Sequence, residues 1–183
     1  FFMTSSDDNH SPHVQGYLRS NRPNNSLAKQ NVGDDSYPGD GATNGYPGRW
    51  QIYEVDSYTG DPYIKDVSEI VEFEQYYIVS DRTMFKGSST ALPKAMACLQ
   101  ENFKINWGDQ YVYWGDLDKD ANGFIWKAVK VGDQWAFLNM ENHKYLGNMN
   151  TSPVEDDVVF SDDPVGYTLT DLEDGEGRFF MTN

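Results

Sequence analysis

Short stretches that alternate apolar and polar residues recur along this chain, and three of them are headed by a large aromatic. They are Trp50-Gln51-Ile52-Tyr53-Glu54-Val55, Trp126-Lys127-Ala128-Val129-Lys130-Val131 and Tyr167-Thr168-Leu169-Thr170-Asp171-Leu172. A period of two puts every second side chain on one face, the pattern of a half-buried strand. A second kind of strand, closing on Ser or Asn, precedes each of these at Phe2-Met3-Thr4-Ser5, Tyr77-Ile78-Val79-Ser80 and Ala136-Phe137-Leu138-Asn139. Between the two kinds come aromatic-led strands at Tyr17-Leu18-Arg19-Ser20, Phe85-Lys86-Gly87 and Tyr145-Leu146-Gly147-Asn148. Third strands are expected at Tyr111-Val112-Tyr113-Trp114 and Val158-Val159-Phe160-Ser161. The first copy offers only the Gly/Asn/Pro-rich stretch from Asn21 to Gly48, which reads as a long loop.

Spacing supports three copies of one unit. Ser5 lies 45 positions before Trp50 and Ser80 lies 46 before Trp126, whereas Asn139 lies 28 before Tyr167. The units run over about 1–56, 74–131 and 134–172, with 57–73 as an insertion whose Tyr63–Phe73 stretch is amphipathic. Residues Ala91 to Asn102 are expected to form one short helix, with Pro93 in its first turn. Ala95, Met96, Leu99 and Phe103 would share its apolar face, with Cys98 a small buried hydrophobe beside it. A surplus strand closes the sequence at 178–183, where Phe179-Phe180-Met181-Thr182-Asn183 repeats Phe1-Phe2-Met3-Thr4-Ser5. The two are expected to pair side by side within one domain; the rivals are a tandem array and strand exchange between copies.

Three units of four short strands resemble a β-trefoil, and Gln134-Trp135-Ala136-Phe137-Leu138-Asn139 followed by His143-Lys144-Tyr145-Leu146-Gly147 is similar to the unit start of ricin-type and fascin-like trefoils. The resemblance implies an all-β fold with three hairpin-bearing units. Ricin-type lectins carry a Gln-x-Trp signature and paired cysteines that this chain lacks, so no sugar-site residue is carried over. The alternative architecture is a β-sandwich.

The 183 residues carry 14 Lys and Arg against 29 Asp and Glu, a formal net charge of −15. That field repels phosphate backbones and anionic lipid, so nucleic-acid and membrane-surface roles are not expected. No run approaches the roughly 20 apolar residues of a helical span. The sequence opens at Phe1-Phe2 without an initiator Met, which reads as a mature or excised piece of something longer, and export to the cell surface or medium is the expected location. The single cysteine rules out an internal disulfide.

One segment has the spacing of metal chemistry. From Asp118 the chain reads Asp-x-Asp-x-Asn-Gly-x-Ile, which resembles the first eight positions of a calmodulin-like calcium loop. The resemblance implies ligands from Asp118, Asp120, Asn122 and the carbonyl of Phe124, with Asp116 or Asp109 supplying the missing late carboxylate. The twelfth position falls on Val129, inside a strand. An acidic turn leading into a hairpin strand explains the same residues without a cation.

His10, His13 and His143 do not sit at metal-ligand spacing, and the adjacent pairs Asp34-Asp35, Asp156-Asp157 and Asp162-Asp163 read as solvated turns. No nucleophile elbow, phosphate loop or His-Glu-x-x-His motif occurs, so no catalytic residue is proposed. Aromatics crowd 107–135, where Trp126 and Trp135 fall on repeat positions and belong to the core. Trp107, Tyr113 and Trp114 are the candidates for a platform that stacks on sugar rings. The sequence thus points to a non-enzymatic binding module for a glycan or cell-surface polysaccharide, with calcium as a candidate stabiliser. Assembly with copies of itself is the second reading.

Overall fold

The computed structural model describes residues 16–20, 27–31, 50–55, 64, 66–80, 94–98, 112–148, 158–173, 175 and 177–183. Twelve strands run through them: β1 (Gly16–Ser20), β2 (Leu27–Asn31), β3 (Trp50–Glu54), β4 (Gln75–Ser80), β5 (Lys94–Ala97) and β6 (Tyr113–Asp116) form the first half. The second half holds β7 (Trp126–Val131), β8 (Gln134–Asn139), β9 (Tyr145–Leu146), β10 (Phe160–Ser161), β11 (Thr168–Asp171) and β12 (Phe179–Thr182). Every pairing among them is antiparallel. The fold is all-β, and two short 3-10 turns are described in full, at Val67–Glu69 and Asn122–Phe124.

One sheet runs β10-β9-β8-β7-β4-β3-β12-β11, with the β5–β6 hairpin branching from β4; β1 and β2 pair apart from it. Three antiparallel pairs of consecutive strands carry most of its ladder: β3–β4, β7–β8 and β11–β12, of which β7–β8 turns tightly at Gly132-Asp133. The seams between hairpins are short and fall at matching levels. Phe179 faces Trp50, Tyr76 faces Trp126, and Trp135 faces Tyr167. In the last of these the two residues exchange N–H···O bonds of 2.9 and 2.8 Å, so the path leaving β8 through β7, β4, β3, β12 and β11 returns to β8.

The same levels organise the core. Trp50, Trp126 and Tyr167 head β3, β7 and the approach to β11, and all three are fully buried. Two residues on stand Ile52, Ala128 and the partly buried Leu169. Opposite them stand Tyr76, Trp135 and Phe179, then Ile78, Phe137 and Met181. Each of these large side chains contributes about 1.5–3 kcal/mol by leaving water. The polar ends of Trp126 and Tyr167 also find backbone acceptors: Trp126 Nε1 donates to the Met96 carbonyl at 3.0 Å, and the Tyr167 hydroxyl donates to the Gly147 carbonyl. Burial pushes the Tyr167 hydroxyl far above its ordinary ionisation range, so it stays a donor.

Several expectations are corrected. Lys94–Ala97 is a strand, β5, in the segment expected to be helical; it pairs with β6 along its length and with β4 at Val79. Its side chains alternate between two cores, Met96 with Cys98 inward and Ala95 with Ala97 outward, and this tertiary fit overrides local helix preference. The stretch read as one long loop contains β2, paired with β1 over five residues. Strands β3 and β4 are buried on both faces rather than one. A second cluster covers their outer side, in which Tyr53, Tyr77 and Val79 pack with Leu117, Phe124 and Ile125 from the 117–125 loop. The strands proposed at 1–5 and 85–87, and the stretch 99–111 with Trp107, lie outside the described residues.

Strand β12 pairs within the chain, with β11 and with β3. None of the helices described is long and apolar enough to cross a membrane.

Candidate functional site

The acidic turn expected to hold calcium is shaped by hydrogen bonds and apolar anchors of its own. Asp118 Oδ1 accepts from the backbone N–H of Asp120 at 3.0 Å, and Ala121 N–H donates to the Asp118 carbonyl at 3.3 Å, an ordinary Asx-type turn. Asp116, Asp118, Asp120 and Asn122 are exposed, while Leu117, Phe124 and Ile125 are buried. Apolar anchoring on both sides therefore shapes the loop, and its carboxylates face solvent. Among the described residues no group of three or more His, Cys, Asp or Glu side chains is gathered around a point.

Gly123 has a reason of its own. A β-carbon there would lie 2.3 Å from the Cys98 carbonyl oxygen. The backbone φ of Gly123 is not in the left-handed region that the described Gly132, Gly175 and Gly177 occupy. Close approach of the loop to β5, sealed by Cys98 N–H donating to the Gly123 carbonyl at 2.8 Å, is what requires glycine.

Asn139, the last residue of β8, joins this loop to the next turn. It is fully buried, and its Nδ2 donates to the Gly123 carbonyl at 2.8 Å. Its Oδ1 accepts from the N–H groups of Glu141 and Asn142 at 3.0 and 3.4 Å. One amide thus fixes two loops, and the role is structural.

Of the aromatics proposed as a sugar platform, Tyr113 is 5 % exposed and offers no open ring face. Trp114 lies in β6 opposite Met96, and Trp107 lies outside the described residues. Among the described residues the exposed ring is in the 57–73 insertion. Phe73, at the end of the insertion, is 62 % exposed and its neighbour Val71 is 55 % exposed. They border a pocket of about 450 Å³ shared with Glu54, Glu74, Gln75 and Tyr76.

The sequence places Phe73 there by anchoring its surroundings. Ile64 and Ile70 insert into the main core, and Ile64 N–H donates to the Ile52 carbonyl at 2.8 Å. Asp66 caps the 3-10 turn through Ser68 N–H at 2.7 Å, and hydrogen bonding from the Ser68 side chain and then its N–H holds the carboxyl below the usual range. The 71–74 turn is clamped to β7 by Phe73 N–H on the Ala128 carbonyl (2.7 Å), Ala128 N–H on the Glu74 carbonyl (3.0 Å) and Lys130 N–H on Glu72 Oε1 (3.1 Å). Val71 N–H donates to the Tyr76 hydroxyl at 2.9 Å, and burial raises that hydroxyl's pKa, with the Val71 bond opposing it.

The clamp forces Phe73 to φ 72°. A bulky residue at positive φ costs on the order of 1–3 kcal/mol and persists only where its surroundings dictate it. A strained, water-facing phenyl ring between Glu54 and Glu74 can stack on an apolar face while carboxylates and the Gln75 amide take hydroxyl or amino groups. The amphipathic pattern of 63–73 marks this segment in the sequence, but the backbone strain that distinguishes Phe73 has no sequence signal.

No protein-family model, curated protein or solved structure matches this chain.

Proposed function

We propose that this chain is a non-catalytic β-trefoil module of a secreted or cell-surface protein, and that it takes a neutral or amino-bearing glycan at the Phe73 pocket. The trefoil reading is supported over a sandwich by the recurrence of one pattern at three seams, Phe179–Trp50, Tyr76–Trp126 and Trp135–Tyr167, with a hairpin pair in each unit: β1–β2, β5–β6 and β9–β10. The exposed, strained ring of Phe73 carries the binding reading. Sugar C–H faces pack on aromatic rings, and flanking carboxylates accept from hydroxyls. Glu54 and Glu74, on a chain of net charge −15, disfavour sialylated or sulfated ligands.

Phe73→Gly separates this from a merely structural role. Glycine relieves the positive φ, so the variant is expected to melt at the same or a higher temperature than the parent. Its glycan affinity should fall by about tenfold or more, equivalent to about 1.4 kcal/mol. Titration of the glycans captured on an array checks both. An array with no neutral or amino glycan retained at high valency, or unchanged affinity in Phe73→Gly, overturns the reading. Trp114→Ala in parallel decides whether the surface extends to β6. Melts in millimolar calcium and in chelator test a cation at Asp118–Asn122, which would raise the melting temperature.

A further inference from the structure

Strand β12 fills a slot between β11 and β3, and the sequence holds a second segment made to the same pattern. Met181 and Phe179 of β12 are buried at the levels that Ile78 and Tyr76 occupy in β4, and Phe137 and Trp135 in β8. Phe1-Phe2-Met3-Thr4 is identical to Phe179-Phe180-Met181-Thr182, so a strand of residues 1–5 would bring Phe1 and Met3 to those same two levels.

Three observations say that β12 is not the slot's sole fit. Ser5 precedes Trp50 by 45 positions, against 46 from Ser80 to Trp126, so residues 1–5 stand to β3 as β4 stands to β7. The residue closing β4 is Ser80 and that closing β8 is Asn139, both fully buried. Asn139 satisfies its amide through the turn that follows it, at Glu141 and Asn142, and through Gly123. Asn183 holds the corresponding place after β12, yet its Nδ2 and Oδ1 are buried with no partner. Ser5 carries a single hydroxyl there, and Asp7 and Asp8 follow it at the spacing of Glu141 and Asn142.

We propose that the slot between β3 and β11 is a strand-acceptor site with two interchangeable occupants, β12 and the Phe1–Ser5 segment of the same or a neighbouring copy. A Phe-Phe-Met-Thr segment displaced from the slot would be able to complete another copy by β-strand addition. The proposal does not depend on glycan binding.

A double-substitution cycle in the full chain tests it. Met181→Asp places a carboxylate in the core if β12 is the occupant, and Met3→Asp does the same for the other segment. Interchangeable occupants predict that each single variant melts within a few degrees of the parent, because the intact segment takes the slot. Met3→Asp/Met181→Asp should lose cooperative folding altogether. Collapse of Met181→Asp alone, collapse of both single variants, or a folded double variant each overturns the proposal. Native mass spectrometry of Met181→Asp then separates the sources of the strand, monomer for the same copy and dimers or longer species for a neighbour.

Discussion

Gly147→Ala is expected to destabilise the protein by about 3–5 kcal/mol, as much as truncating a buried core aromatic. A β-carbon at Gly147 would lie 1.9 Å from the Val159 carbonyl oxygen and 3.0 Å from its carbon, both backbone atoms with no rotamer to give way. The β9–β10 hairpin has only two residue pairs, so it opens rather than bends. Opening it withdraws Leu146 from the core and moves Phe160, which stacks on Trp126 at 6.0 Å between ring centroids. It also displaces the Gly147 carbonyl that accepts the Tyr167 hydroxyl. For a chain of this length the melting temperature should fall by about 6–20 °C. Gly132→Ala is the control: Gly132 has φ +61° but open space around it, so only backbone strain of about 1 kcal/mol is incurred. Equal losses in the two variants would show that the close approach at Gly147 is not what matters.

Asn139→Ala should cost about 2–4 kcal/mol. The substitution removes one of the two donors to the buried Gly123 carbonyl, which keeps the Cys98 N–H, and the acceptor of the Glu141 and Asn142 N–H groups; each lost bond removes about 0.5–1.5 kcal/mol, more where the remaining group is sealed from water. Asn139→Ser, which reproduces the residue found at the end of β4, should recover part of the loss. Amide exchange at Glu141 and Asn142 ought to accelerate in both variants, since their local acceptor is gone or shortened. Chemical denaturation gives the energies, and unchanged exchange at those two amides would refute the account of how Asn139 holds the turn.

The strands with clean alternation were legible because one of their faces is wet. Strand β7 turns Trp126 and Ala128 inward and Lys127 outward, and Lys130, on the parity of Trp126, is exposed at the strand's end with its ammonium over the Trp135 ring. Strand β5 was not legible, since Ala95, Met96 and Cys98 fit a helical face as well as a strand buried on both sides. Only the pairing partners β4 and β6 decide between them, and those are distant in sequence. Similarly, nothing local reports that the 117–125 loop folds over β3 and β4. The Asp118–Asn122 motif was correct as a turn, yet its glycine answers to Cys98, a residue 25 positions away. The aromatic count pointed at 107–135, where Tyr113 is buried; among the described residues the exposed ring is Phe73, held by backbone bonds to Ala128. Ring exposure depends on what the rest of the chain covers, which composition does not record.

Cys98 is the chain's sole thiol, and its side chain is buried in the main core while its backbone meets the Gly123 crossing of the outer loop. A thiol in that position is a chemical clock. Its alkylation requires the end of β5 to leave the core, so the labelling rate at increasing denaturant separates that local opening from unfolding of the whole. The molecule therefore carries an internal gauge of how firmly its branching hairpin is held to the aromatic core.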